Sequence, residues 1–65
     1  MRFAENVKKF RQARGLSQKK LALEVGVNQS MIAHIENGLR IPSLAVGFEI
    51  SKALDVSLDE LCKGA

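Results

Sequence analysis

The sequence predicts an all-α domain of about five short helices. Three observations carry that expectation. Glycine and proline fall at helix-length intervals along the 65 residues. Between them, apolar residues recur three and four apart, the spacing of one helical face. No stretch shows the two-residue alternation of a half-buried strand, and β-branched residues are sparse.

The first helix is expected from about Arg2 to Arg14, with Phe3, Val7 and Phe10 as its apolar stripe and Gly15 as its stop. Ser17 reads as the N-cap of a second helix over Gln18 to Val25, which carries Leu21, Ala22 and Val25 on one side and ends at Gly26. Asn28 caps a third, Gln29 to Glu36, with Ile32 and Ile35 inward. Asn37-Gly38 ends it, and both residues tolerate positive φ. Pro42 and Ser43 open a fourth helix, Leu44 to Leu54, whose apolar side is read as Leu44, Phe48, Ile50 and Leu54. Ser57 caps a last turn holding Leu58 and Leu61. Ser57-Leu58-Asp59-Glu60 reads as a capping box with Asp in place of the usual Glu or Gln.

The window Gln18 to Asn37 is the most informative. Two short helices are joined by Val25-Gly26-Val27-Asn28, a turn centred on a glycine free to adopt the left-handed conformation. Ala22, four residues earlier, is small enough to let the helices approach. Leu21, Val25, Val27, Ile32 and Ile35 form the facing surfaces. The pattern is a helix-turn-helix.

Composition narrows the function classes. The net charge is +3, which favours phosphate only weakly. Three Phe without Trp or Tyr disfavour a stacking platform for single strands. Cys62 is the sole cysteine, so no internal disulfide forms. His34 has no second His, Cys pair or acid at metal spacing, and no metal or cofactor is expected. No apolar run is long enough to span a membrane, and the N-terminus lacks a signal-peptide apolar region. The expected location is the cytoplasm. No nucleophile–base constellation or small-molecule site is evident, so the chain is not read as an enzyme.

In register, Arg11, Gly15-Leu16-Ser17-Gln18, Leu21-Ala22, Gly26-Val27, Ile32, Ile35-Glu36-Asn37-Gly38, Pro42-Ser43-Leu44 and Val56-Ser57-Leu58-Asp59-Glu60-Leu61 form one pattern. It resembles the Cro/repressor-type helix-turn-helix family, also called XRE, whose members are bacterial and phage transcriptional regulators. The resemblance runs from about Val7 to Leu61. It implies a compact five-helix domain of the lambda-repressor-like type over residues 1–65, with helices 2 and 3 forming the motif. It also implies sequence-specific binding of double-stranded DNA as a transcriptional regulator, a repressor by preference, with residues 28–37 in the major groove.

On that docking mode the base readers are Asn28, Gln29, Ser30, Ala33 and His34. Gln29 leads, because an amide bonds adenine N6 and N7 together. Gln18 resembles the family glutamine that contacts phosphate and braces the recognition helix. Asn37 and Arg40 resemble the segment that contacts the DNA backbone. Lys19, Arg14 and Lys9 are expected to add phosphate contacts, and Met31 to serve in packing or on the phosphate side. The family pairs a glutamate such as Glu36 with an arginine such as Arg11, a structural salt bridge between helices 1 and 3.

Three positions depart from the pattern. Leu39 stands where many relatives carry a basic residue. Gly47 lies inside helix 4, where Phe48 fills the space or a close neighbour, a partner subunit included, needs it. Asp55 replaces the common Gly or Asn. A homodimer on a partly palindromic operator is expected, because one small module touches few base pairs. The C-terminal apolar residues also exceed the needs of a small core, so Val46, Leu54, Leu58 and Leu61 are read as its interface. The rival reading is a protein-interaction module or antitoxin-type autoregulator on the same fold.

Overall fold

A computed structural model describes residues 2–64. Its elements are α1 (Phe3–Ala13), α2 (Gln18–Val25), α3 (Gln29–Glu36), α4 (Leu44–Leu54) and α5 (Leu58–Cys62). All regular structure among the described residues is helical, and no helix is long and apolar enough to cross a membrane.

Side-chain caps set four of the five helix starts. Ser17 Oγ accepts from the Lys20 N–H at 3.0 Å, Asn28 Oδ1 from Met31 at 2.8 Å, and Ser43 Oγ from Val46 at 3.2 Å. Each satisfies a donor that the helix cannot, worth about 1 kcal/mol. At α5 Ser57 Oγ accepts from the Glu60 N–H while Glu60 Oε1 accepts from the Ser57 N–H. The reciprocating carboxylate is therefore Glu60, three residues past the cap, and not Asp59. At the other end of α5, Asn6 Nδ2 on α1 donates to the carbonyls of Leu61 at 2.9 Å and Lys63 at 2.8 Å. That amide satisfies carbonyls the short helix leaves open, a contact with no local sequence signal.

α2 packs against α3 and α4, while α1 packs against α3 and α5. Between α2 and α3, Gly26 takes φ +86°, and the N–H groups of Gly26 and Val27 both donate to the Ala22 carbonyl. Ala22 is buried, as the close helix approach requires. The core is Val7, Leu21, Ala22, Ile32, Ile35, Ile50, Leu54 and Leu61. Val25 and Val27 are only partly buried against it.

α4 corrects the sequence reading. Its buried positions are Gly47, Ile50, Ser51 and Leu54. Leu44 and Phe48 point outward, 78% and 52% exposed. At about 100° per residue, Phe48 and Ile50 lie about 160° apart round the helix, so one apolar side cannot hold both pairs. Leu54 and Leu61 are in the core, 2% and 0% exposed, and neither is available to a partner. Beyond its own helix turn, a Cβ built on Gly47 would meet Leu58 Cδ2 of the same chain, at 3.7 Å. Asp55 closes the helix at φ +57°, a left-handed position costly to a residue with a Cβ.

Candidate nucleic-acid interface

α3 presents one polar face. Gln29, Ser30, Ala33, His34 and Asn37 fall within about 140° of arc. All but Ala33, which is half-buried, are exposed. The opposite side of the helix holds Ile32, Ile35 and Glu36 in the interior. The face thus combines an amide, a hydroxyl, a small apolar group and an imidazole at a width suited to a major groove. Asn28 is exposed at the start of α3, but its Oδ1 already caps the helix. Its Nδ2 is the group left to donate outward, which makes it a poorer bidentate reader than Gln29.

A buried polar cluster holds this face in place. Arg11 Nε donates to Glu36 Oε2 at 2.6 Å and Arg11 Nη2 to Glu36 Oε1 at 3.1 Å, a two-pronged bond between α1 and the end of α3. Both side chains are almost wholly withdrawn from solvent. Arg11 Nη1 also donates to the Leu16 carbonyl at 2.7 Å, which ties in the α1–α2 loop. Gln18 Nε2 donates to Glu36 Oε1 at 3.1 Å. The start of α2 is thereby registered against the end of α3 through one carboxylate. Because a buried charge is tolerated only when paired and hydrogen-bonded, the cluster favours a single arrangement of the three helices. Gln18 is half-buried in it, so its amide braces the motif, with its remaining N–H left to donate to a phosphate.

Other expected phosphate contacts divide. Lys19 is exposed at the first turn of α2, where free backbone amides favour anions. Arg40 is exposed in the loop after α3. Asn37 has φ −87°, so the left-handed residue of this turn is Gly38 alone, at φ +75°. Gly38 N–H donates to Ile35 O at 3.1 Å and Leu39 N–H to His34 O at 2.9 Å. This paired closure makes the Asn37–Arg40 loop a defined extension of the α3 face. It also presents Leu39, 74% exposed, where the sequence offered no reason to fix a large apolar side chain. Two assignments weaken. Met31 is half-buried against the core and serves packing. Arg14 is drawn towards Asp55, 4.0 Å away at the end of α4, a contact between exposed groups worth little.

Charge follows the same division of the molecule. Residues 1–43 carry eight Lys and Arg against three Asp and Glu, net +5, and residues 44–65 carry two against four, net −2. Of the three acids in the first stretch, Glu36 is neutralised by Arg11. The phosphate-attracting half is the half that presents α3.

Comparison with known proteins gives one picture. The HTH_3 model, described as helix-turn-helix, matches residues 7–61. The chain is 40% identical over 62 residues to the uncharacterized HTH-type transcriptional regulator YqaE of Bacillus subtilis, covering 95% of this chain but 53% of that protein. The chain thus spans about half the length of that relative. Among solved structures, the restriction-modification controller protein C.AhdI from Aeromonas hydrophila is 35% identical with a TM-score of 0.88, covering 92% of this chain and 91% of that one. The P22 c2 repressor, crystallised with a synthetic operator, is 29% identical with a TM-score of 0.92, over 100% and 98% of the two chains.

Proposed function

The chain belongs to the helix-turn-helix (HTH_3) family of DNA-binding transcriptional regulators, and on that premise we propose that it is a cytoplasmic repressor acting as a homodimer on a partly palindromic operator. The single helix-turn-helix domain over residues 1–65 is the DNA-reading unit. α3 enters the major groove with Gln29 and Ser30 foremost and His34 further along. Ala33 allows close approach to a thymine methyl. Gln18, Lys19, Asn37 and Arg40 hold the phosphates on either side and set the register.

The observation that carries this reading is the polar face of α3 held outward by the buried Arg11–Glu36–Gln18 cluster. The likeness to an operator-bound repressor over the whole chain supports the repressor role. Size supports the dimer. The domain measures 28 × 22 × 19 Å, and two major-groove half-sites lie roughly 34 Å apart, so one copy cannot read both.

Selection of bound duplexes from random DNA, followed by titration of the selected duplex at several salt concentrations, tests the proposal. A palindromic consensus, bound roughly 10³-fold or more above random DNA, is the expected result. Weak, wholly salt-driven binding without a consensus would transfer the chain to the interaction-module reading.

A further inference from the structure

We propose that Leu39 is a DNA-contacting residue: its side chain lies on the apolar surface between two phosphates, made by deoxyribose C–H groups and thymine methyls, and supplies binding that salt does not screen. The inference rests on the docking of α3 read above and adds a contact of different chemistry to it.

A single exposed leucine needs no explanation by itself. Leu39 differs because its place is fixed. The helix ends at Asn37, Gly38 turns left-handed at φ +75°, and the Gly38 and Leu39 N–H groups donate to the carbonyls of Ile35 and His34. In this closure the residue after the glycine leans back over the last turn of the helix, here towards Ala33 and His34. Those are two of the side chains on the reading face. Leu39 nevertheless stays 74% exposed and is not among the side chains packed on the core. The fold sets its position and leaves its surface uncovered.

Its neighbours define what covers it. Asn37 and Arg40 flank the Gly38-Leu39 pair, both exposed and both assigned to phosphates. The leucine side chain has no donor or acceptor, so it bonds neither a phosphate nor a base edge. Between phosphates, a duplex offers an aliphatic group its sugar C–H surface and, at A·T pairs, the thymine methyl. Residues 1–43 carry a net charge of +5, which draws a polyanion to this side and disfavours a basic protein as the occupant. Covering Leu39 removes apolar area from water, a gain that does not depend on screened charge. A lysine in its place would release counterions, and its contribution would fall as salt rises. Leucine where many relatives carry a basic residue therefore exchanges affinity at low salt for persistence at high salt.

Titration of the selected duplex over a range of salt with Leu39→Ala, Leu39→Met and Leu39→Lys tests this. Leu39→Ala is expected to bind about three- to tenfold more weakly at every salt concentration, with the salt slope of the parent. Its thermal midpoint should stay within about 4 °C of the parent, which separates a lost contact from a damaged fold. Leu39→Met should bind as the parent does. Leu39→Lys should steepen the salt slope by about one unit, gaining at low salt and losing at high salt. Uracil in place of thymine identifies the source of the contact. A loss larger in the parent than in Leu39→Ala marks a methyl under Leu39, and matching responses mark the sugars. A Leu39→Ala chain that binds as tightly as the parent, or a Leu39→Lys chain with an unchanged slope, would overturn the proposal. Gln29→Ala measured alongside judges the docking itself. If it weakens binding and Leu39→Ala does not, this contact alone falls; if neither weakens binding, the placement of α3 in the groove falls with it.

Discussion

α3 and α4 have the same neighbours in α1 and α2 but opposite exteriors. The outer face of α3 is polar, and its inner side ends in a buried ion pair that also grips α1 and α2. The outer face of α4 is apolar, and its inner side is hydrocarbon apart from Ser51, whose hydroxyl donates to the Phe48 carbonyl at 2.6 Å. The difference teaches how a small domain separates two tasks. A helix that must hold a set orientation for hydrogen-bonded readout is fixed by directional bonds. A helix that only has to present area is fixed by non-directional burial, and its outer side chains are free to serve another surface.

The sharpest way to break the contrast is to strip the ion pair. Glu36→Ala leaves Arg11 charged and buried, and the expected loss is about 3–5 kcal/mol in chemical denaturation. Replacing both partners by apolar residues should recover much of that stability. It should not recover specific DNA binding, because Gln18 would lose its anchor. A stability loss below about 1 kcal/mol for Glu36→Ala would mean that α3 is held by packing alone.

Next in size is a comparison within α4. Leu54→Ala should cost about 2–5 kcal/mol through the cavity it leaves, whereas Leu44→Ala should stay within about 0.5 kcal/mol in dilute monomer. Equal losses in thermal unfolding would contradict the two-faced description of this helix.

On α3 the expected effects appear in binding. Gln29→Ala should cost about 1–3 kcal/mol on the selected duplex and relax one base position, measured by titration against single-base variants. Arg40→Ala should weaken binding on every sequence and flatten the salt slope by about one unit. A uniform loss for Gln29→Ala would remove it from the base readers.

The smallest effect concerns Gly47. Beyond its own helix turn, a Cβ there meets Leu58 Cδ2 at an ordinary 3.7 Å. Gly47→Ala should therefore stabilise the fold by about 0.5–1 kcal/mol in thermal unfolding through the backbone entropy of the helix. A destabilised protein would show that the spot is tighter than its contacts indicate.

Much of this molecule was written locally. Ser17, Asn28, Ser43 and Ser57 announce helix starts because a cap bonds a donor three residues away, within reach of the chain itself. Gly26 and Gly38 announce turns because only the local backbone decides whether positive φ is tolerated. The polar face of α3 was legible because its residues follow one helical period. The roles of Arg11 and Glu36 came from family resemblance, since 25 residues separate them and no local rule joins them.

What tertiary structure alone decided lies between elements. The union of Gln18 with Glu36, the amide of Asn6 on the end of α5 and the packing of Met31 against the core all depend on where other helices lie. Leu54 and Leu61 were misread as interface residues for the same reason. Leucine content shows that a segment has apolar surface to hide. Which leucines the core takes follows from the angle at which α4 meets α2 and from the seat of α5 against α1. Leu54 and Leu61 were taken, and Leu44 and Phe48 were left outside. A side chain's period along its own helix is a property of the sequence, but the direction of the core is a property of the packed whole.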